Sequence, residues 1–277
     1  MVTENRAGRG LQYAKIITER RTDMANYQII FSPTGGTAKV ADTLIAGLGG
    51  AWEKIDISLP VEAKSFGPDD VCLVAVPSFG GLVPVVALER LKALSGGGTK
   101  TVAVCVYGNR LFEDTLTQLQ EALEAAGFCC AAAVSAVAEH SFMRQYAAGR
   151  PDADDCAELT AFVPKIAAAL ADYAPGKKLV VPGNYGTYKN RGSLAFHPAA
   201  DEKCVACGLC ASKCPVGAID PACPGTTNND ACITCMRCVA LCPKKARGLD
   251  ANVVAAVAER LKDAFAGRKP NGLYLAE

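Results

Sequence analysis

The chain of 277 residues has few histidines, no excess of charge of either sign and no long hydrophobic run. It contains two histidines and carries a formal net charge of +1. This balance argues against a dedicated nucleic-acid-binding protein, because such proteins normally present a basic surplus on one face. The shortage of histidine also excludes most histidine-based zinc and non-haem iron sites.

Segments that would direct the chain into or across a membrane are also missing. The longest near-apolar run, residues 128–138, is interrupted by Ser135 and is well short of the roughly 20 residues that span a bilayer. No basic segment followed by an apolar run opens the sequence, so no secretory signal is predicted. We therefore expect a cytoplasmic protein without a membrane span.

Cysteine is the unusually abundant residue type. Nine of the 14 cysteines lie between Cys204 and Cys242, and the other five are scattered through the apolar part that precedes them. Without a secretory signal, disulfides explain so many thiols poorly. The sequence therefore favours metal or cluster ligation in its C-terminal part.

Residues 25–175 alternate between short apolar runs and segments of helical period. The apolar runs predict strands at 27–31, 52–57, 71–76, 101–107 and 128–137, and the patterns between and after them predict helices at 38–48, 85–94, 113–126 and 152–173. Near-continuous apolar strands separated by helices are typical of a parallel sheet covered on both faces. The sequence therefore predicts an α/β fold of flavodoxin type, a doubly wound five-stranded parallel sheet in the order 2-1-3-4-5.

The other segments are assigned by composition and by the position of the cysteines. Residues 1–24, polar and arginine-rich, predict a disordered extension, and residues 176–200, rich in Gly, Asn, Tyr and Lys, predict a linker. Residues 201–250 hold the dense cysteines and predict a small C-terminal α+β domain. Residues 251–277 predict a C-terminal helix and tail.

Two copies of one cysteine pattern stand in residues 201–250, each closed by Cys-Pro. The pattern Cys-x2-Cys-x2-Cys-x3-Cys-Pro is that of bacterial two-cluster ferredoxins, whose fourth cysteine ligates the other cluster. This match implies two [4Fe-4S] sites. One would be held by Cys204, Cys207, Cys210 and Cys242, and the other by Cys214, Cys232, Cys235 and Cys238.

Other interpretations of the cysteine-rich region concern single features. One copy of the pattern alone would also suit a zinc site, whereas two complete copies favour clusters. Cys223 is left over between the copies, and we interpret it as a spare thiol because both sites are already filled. The cations that flank the cysteines are interpreted mostly as solvated surface; they are Lys203, Lys213, Lys244, Lys245 and Arg247.

The first predicted strand leads into a turn rich in hydroxyls and glycine, which opens a helix. The turn suits a phosphate monoester, because hydroxyls and helix N-terminal N–H groups bind anions and glycine permits close approach. It resembles the phosphate loop of flavodoxins, although Pro33 removes one N–H that flavodoxins offer. Turns of this composition also serve simply as helix starts. The candidate phosphate-binding residues are Ser32, Thr34, Gly35, Gly36, Thr37 and Ala38.

The ends of the third and fourth predicted strands carry glycines and aromatic residues. These positions match the loops with which flavodoxins surround the flavin ring, at the carboxyl ends of neighbouring strands. The resemblance implies stacking by Phe79 and Phe112, a flexible peptide at Gly80, and amides that bind the pyrimidine edge at Gly108 and Asn109. The remaining candidates are Ser78, Gly81 and Tyr107. Alternatively, the aromatic residues only cover the sheet.

The whole chain resembles the flavodoxin–ferredoxin fusion proteins of anaerobic bacteria and archaea. The resemblance implies an electron carrier in which FMN and two [4Fe-4S] clusters exchange electrons with unidentified redox partner proteins. Two alternatives stay open: an oxidoreductase that reduces a small substrate at the flavin, and a cluster-binding module whose front domain no longer binds flavin. His140 is interpreted as a capping or packing residue, and the sequence suggests no catalytic residue.

Overall fold

The computed structural model of the protein describes residues 24–188 and 194–277, so the predicted extension at residues 1–24 falls almost entirely outside the described part. The strands of the main sheet are β1 (Asn26–Ile30), β2 (Trp52–Asp56), β4 (Val71–Pro77), β6 (Lys100–Tyr107), β7 (Cys129–Val137) and β10 (Gly272–Leu275). Two further pairs are β3 (Lys64–Ser65) with β5 (Leu94–Ser95), and β8 (Ala199–Ala200) with β9 (Arg247–Gly248).

The helices of the first part are α1 (Gly36–Leu48), α2 (Val85–Leu91), α3 (Thr115–Ala125) and α4 (Ala153–Ala171). Later in the chain come α5 (Leu209–Ser212), α6 (Arg237–Leu241), α7 (Ala251–Leu261) and a 3-10 turn (Lys262–Phe265). Asp152 caps α4, because its carboxylate accepts the Asp155 N–H at 3.1 Å. Within the described residues, no helix is both long and apolar enough to cross a membrane.

The main sheet has the predicted order with one strand added. Strands β2, β1, β4, β6 and β7 lie side by side and are parallel, which is the flavodoxin-like arrangement. The sheet nevertheless has six strands rather than five, because β10 pairs antiparallel with β7 at the edge. The segment predicted as a C-terminal tail therefore contributes a strand of the main sheet.

Each face of the sheet is covered by its own hydrophobic core. Neighbouring residues of β1 point to opposite faces, so Ile29 belongs to one core and Ile30 to the other. Helices α2 and α3 cover the core that contains Ile29, and helices α1 and α4 cover the second core. The core that contains Ile29 combines buried aliphatic and aromatic side chains, whereas the buried side chains of the second core are all aliphatic. Burial on both faces explains why the strand sequences are almost continuously apolar.

The C-terminal segment is tied to the sheet by polar contacts as well as by β10. The side-chain amide of Asn109 donates to the backbone oxygens of Phe265 (2.7 Å) and Gly267 (2.8 Å). Arg150, which forms a buried ion pair with Asp155, also donates to the Lys269 oxygen at 2.9 Å. Because the cysteine-rich region lies between α4 and β10 in sequence, the chain leaves the sheet, forms that region and then returns.

Candidate functional site

The two cysteine loops share one backbone conformation, repeated 28 positions later in the chain. In the first loop Ala206 (φ 52°) and Gly208 (φ 75°) are left-handed, and in the second loop Thr234 (φ 48°) and Met236 (φ 63°) are left-handed. Left-handed residues reverse the chain sharply between successive cysteines, so three thiols lie along each tight loop. The loops therefore have the conformation that their common spacing suggests.

The eight pattern cysteines line two cavities, four to each. We call the residues of the first cavity the first cysteine set; they are Cys204, Cys207, Cys210 and Cys242. The second cysteine set consists of Cys214, Cys232, Cys235 and Cys238. The cavities have similar volumes, about 350 and 330 Å³. Each set thus combines three cysteines of one loop with one cysteine from the other copy of the pattern.

The thiols of each set surround a space instead of converging on one point. Among the residues that the structure describes, no group of three His, Cys, Asp or Glu side chains could hold a metal ion. Four thiols spread around a cavity suit a cubane, whose irons occupy separate corners. Cys223 is exposed and does not line either cavity.

Backbone N–H groups point at the cysteine sulfurs in equivalent places of the repeat. The Ala218 N–H donates to Cys214 Sγ at 3.2 Å, and the Ala246 N–H donates to Cys242 Sγ at 3.3 Å. Such donors stabilise negative charge on the sulfurs of a cluster. By contrast, burial raises the pKa of the Cys235 thiol to about 12. The thiolate form of Cys235 therefore needs a bound cation, which a cluster supplies through its irons.

Four of the five flanking cations are exposed, as the sequence interpretation has it. Arg247 is the exception, because the residue is buried, with 4% of its surface exposed. Its side chain extends along the first cavity and donates to the backbone oxygens of Pro224 (2.6 Å) and Pro198 (2.9 Å). The interior of the cysteine-rich region therefore contains a permanent positive charge.

The predicted phosphate loop lies between β1 and α1. Gly35 is left-handed, with φ 93°, and no atom lies within 4 Å of the position where a Cβ would stand. Thr34 is exposed, whereas Thr37 is buried at the start of α1. The Ala38 N–H donates to the Ser32 hydroxyl at 2.9 Å, so this amide closes the loop on itself. The predicted contribution of Ala38 to phosphate binding thus competes with an internal hydrogen bond.

Three glycines lie in the predicted flavin-ring loops. One of them faces open space, and the other two allow close packing of the loops. Gly80, with φ 60°, has no atom within 4 Å of its Cβ position. A Cβ on Gly81 would lie 2.1 Å from a carboxylate oxygen of Glu113, and one on Gly108 would lie 2.6 Å from the His140 ring. Space for a ligand is therefore found beside Gly80, while Gly81 and Gly108 bring the loops together.

The aromatic and polar candidates of these loops pack against the protein. Phe112 meets Tyr107 edge-on with ring centroids 5.4 Å apart, and Phe79 meets Phe31 at 6.4 Å. The Ser78 hydroxyl accepts a hydrogen bond from Thr115 at 2.7 Å. These contacts are those expected of residues that cover the sheet, and stacking on a flavin remains a prediction.

His140 is an internal acceptor in this part of the fold. Its Nδ1 accepts the N–H groups of Met143 (3.2 Å) and Phe142 (3.4 Å), and its ring packs against Phe265. Burial, with the nearby charge of Arg110, lowers the pKa of His140 to about 4. The imidazole is therefore neutral at pH 7, in agreement with a capping and packing role.

The cysteine-rich region touches the sheet at the edge where the parallel strands end. Arg90 of α2 donates both to the Ile57 oxygen (2.9 Å) and to the oxygen of Pro215, the residue after Cys214. Arg237, next to Cys238, pairs with Asp56 at the end of β2 at 3.3 Å, while its Nε and Nη1 have no hydrogen-bond partner. The two arginines therefore connect the loops of the second cysteine set to the sheet.

Apolar contacts support the same docking. Ile233 of the second cysteine loop packs against the core that also includes Phe31 and Phe79. Phe196, which precedes the cysteines, meets Phe142 after β7 with ring centroids 5.6 Å apart. Sequence reasoning missed this interface, because its polar members are isolated residues of separate elements. The internal repeat could have indicated that Arg247 is unusual, since Arg247 occupies the position that Ile219 has in the first copy.

Comparison with known proteins identifies the cysteine-rich segment. Residues 203–247 match the family described as 4Fe-4S dicluster domain. No curated protein matches the chain. The segment that holds both cysteine sets is thus a ferredoxin-type 4Fe-4S domain.

Solved structures similar to this chain match its first part. A flavodoxin of Streptococcus pneumoniae TIGR4 is 20% identical over 53% of this chain and 98% of its own, with a TM-score of 0.38. Oxidised flavodoxin 1 of Bacillus cereus is 15% identical over 54% of this chain and 99% of its own, with a TM-score of 0.38. Rubredoxin:oxygen oxidoreductase of Desulfovibrio gigas is 17% identical over 53% of this chain and 35% of its own, with a TM-score of 0.37.

The strand order of the sheet and the family match of the cysteine-rich segment are independent observations. The chain combines a flavodoxin-like fold with a 4Fe-4S domain. The family match supports a role for the second part of the chain in binding iron–sulfur clusters.

Proposed function

We propose that the protein is an electron carrier in which two [4Fe-4S] clusters exchange electrons with an FMN bound at the carboxyl ends of the parallel strands. The observation that carries this proposal is the docking of the second cysteine set. Its loops contact the sheet through Arg90, Arg237 and Ile233, at the edge that also bears the candidate flavin loops. This docking keeps the two kinds of redox site close together.

The two cysteine sets are suited to one cluster each. Each set offers four thiols around a cavity, and the N–H groups of Ala218 and Ala246 stabilise charge on one sulfur of each set. Bound clusters would each carry one electron, and a bound flavin would carry two. The chain itself supplies the ligands, the donors and the fixed spacing.

The candidate flavin site is suited to a mononucleotide. The phosphate loop opens α1, a helix of 13 residues, whose N-terminal N–H groups attract an anion. Open space lies beside Gly35 of that loop and beside Gly80 of the next one. The loop lacks the glycine fingerprint of dinucleotide sites, so one terminal phosphate is the group that it fits.

Quantitation after anaerobic purification tests the cofactor content. We expect about eight irons and eight acid-labile sulfides per chain, because two four-cysteine sets are present. We also expect one FMN per chain. Four irons would contradict the two-cluster assignment, and absence of flavin from protein reconstituted with FMN would contradict the carrier mechanism.

Stopped-flow spectroscopy tests the exchange between the sites. A low-potential donor reduces the clusters, and the flavin absorbance then reports transfer. We expect a rate that does not depend on protein concentration, because both sites belong to one chain. Arg90→Met should lower this rate by loosening the docking, whereas Arg144→Met, at an exposed ion pair with Glu139, should leave it unchanged. A rate proportional to protein concentration would contradict the proposal.

A further inference from the structure

A buried charge breaks the internal repeat of the cysteine-rich domain. Ala218 and Ala246 occupy equivalent positions and make the same N–H to sulfur hydrogen bond. The next residues are Ile219 in the first copy and Arg247 in the second, and both are buried, at 3% and 4% exposure. An apolar position of one copy is therefore occupied by a cation in the other.

The guanidinium of Arg247 lies beside a sulfur of the first cysteine set and contacts two residues that line the second cavity. Its Nη1 is 4.0 Å from Cys210 Sγ of the first set. Its Nη2 donates to the backbone oxygen of Pro198 (2.9 Å) and to the Thr227 hydroxyl (2.5 Å), and both of these residues line the second cavity. Arg247 thus forms part of the wall of the first cavity and also contacts the wall of the second.

The charge of Arg247 is not matched by a protein carboxylate. Besides contacting sulfur, the guanidinium donates to the backbone oxygens of Pro198 and Pro224 and to the hydroxyl of Thr227. Across residues 24–188 and 194–277, no ion pair involves this guanidinium, and its buried Nε has no hydrogen-bond partner. A buried cation without a counter-charge is costly, so a negatively charged neighbour is expected. A cluster held by four thiolates is such a neighbour.

We propose that Arg247 sets the reduction potentials of both clusters by placing one fixed positive charge between the two cysteine sets. This inference rests on the proposed function, since it requires both clusters. Reduction adds one electron, and hence one negative charge, to a cluster. A nearby cation stabilises the more negative state, and burial limits screening by salt. The effect is larger for the first cluster, because Arg247 lines its cavity.

Anaerobic redox titration at a set of electrode potentials, followed by electron paramagnetic resonance, measures the midpoint of each cluster. In Arg247→Gln, which keeps hydrogen-bond donors but loses the charge, the constant for one-electron reduction should fall at least tenfold, a shift of about 59 mV. One cluster should shift more than the other. Arg247→Lys, which keeps the charge, should stay within about threefold of the native constant.

Lys213→Met is the matched control. Lys213 is exposed, lies next to Cys214 and lines neither cavity, so water screens its charge and its loss should change the constant by less than about threefold. The flavin midpoint serves as an internal reference in every variant.

Iron content distinguishes failure of the proposed function from failure of the role proposed for Arg247. Fewer than eight irons in the unmodified protein would contradict the proposed function itself. Eight irons with native midpoints in Arg247→Gln, or an equal shift in Arg247→Lys, would overturn the role of the charge. If Arg247→Gln and Arg247→Met lose iron while Arg247→Lys retains it, the requirement for charge is supported. Loss of iron from all three variants would assign Arg247 to the fold alone and overturn the inference.

Discussion

Protonation of His140 should destabilise the fold below neutral pH. The imidazole is half-buried and packs against Phe142 and Phe265, and its Nδ1 accepts two backbone N–H groups, so the folded state holds it neutral. Its pKa is about 4 in the folded chain, against an ordinary value of 6.5. Between these values the unfolded chain binds more protons than the folded chain, so stability falls as the pH falls.

The size of the effect follows from the two pKa values. The contribution of neutral His140 to the free energy of unfolding is fully present above pH 6.5 and is lost progressively as the pH falls toward 4. Between pH 7.5 and 5.0 the loss is about 2 kcal/mol. The free energy of unfolding falls by roughly 4 kcal/mol for each molar of guanidinium chloride, so the denaturation midpoint should shift by about 0.5 M. Arg268 lowers the pKa of Asp152, so this carboxyl titrates below the same window.

Guanidinium denaturation of the anaerobically kept protein, followed by far-ultraviolet circular dichroism, measures this shift. The matched variant is His140→Gln, whose side-chain oxygen can accept the same N–H groups but does not titrate. We expect its midpoint to change much less between pH 7.5 and 5.0 than that of the native protein. An equal change in both proteins would refute the reasoning, because the titrating group would then lie elsewhere.

Two further predictions concern the candidate ligands. Cys207→Ala should lose or convert one cluster, as measured by iron analysis. Cys223→Ala changes an exposed thiol outside both cavities and should retain all iron. Equal iron content in the two variants would contradict the assignment. The double change Thr34→Val and Thr37→Val should weaken FMN binding by one to two orders of magnitude or more, because each hydrogen bond to a charged group contributes roughly 1.5–3 kcal/mol. Titration of the flavin fluorescence measures the affinity for FMN. The control is Thr43→Val on the same helix, because the Thr43 hydroxyl donates to the Lys39 oxygen. Native affinity in the double variant would exclude the loop as the phosphate site.

Patterns that are local in sequence predicted their structures well. The five parallel strands are near-continuous apolar runs because both faces of the sheet are covered, and this burial leaves a direct trace in the sequence. The cysteine spacing likewise fixes which thiols lie on one loop. The cap of α4 at Asp152 also depends on residues only three positions apart.

Features that depend on distant partners were not predictable in the same way. Strand β10 has four residues, too few to show a period, and it pairs with residues of β7 that lie far earlier in the chain. The side chain of Asn109 binds the carbonyls of Phe265 and Gly267, which lie more than 150 positions later in the chain, while flavin binding by the amides of its loop stays a prediction. The burial of Arg247 was not predictable, because a charged residue normally lies at the surface and only its neighbours in the fold show that it is buried.

The return of the chain to the main sheet after the cysteine-rich region determines the order in which a new copy is completed. The ribosome releases residues in sequence order, so both cysteine sets emerge before Gly272–Leu275 of β10. Until then β7 is an unpaired edge, which is open to pairing with other chains. The β7 edge is therefore closed only after the last cysteine has been synthesised. A chain that is released before β10 has been made carries all eight ligands but an incomplete sheet.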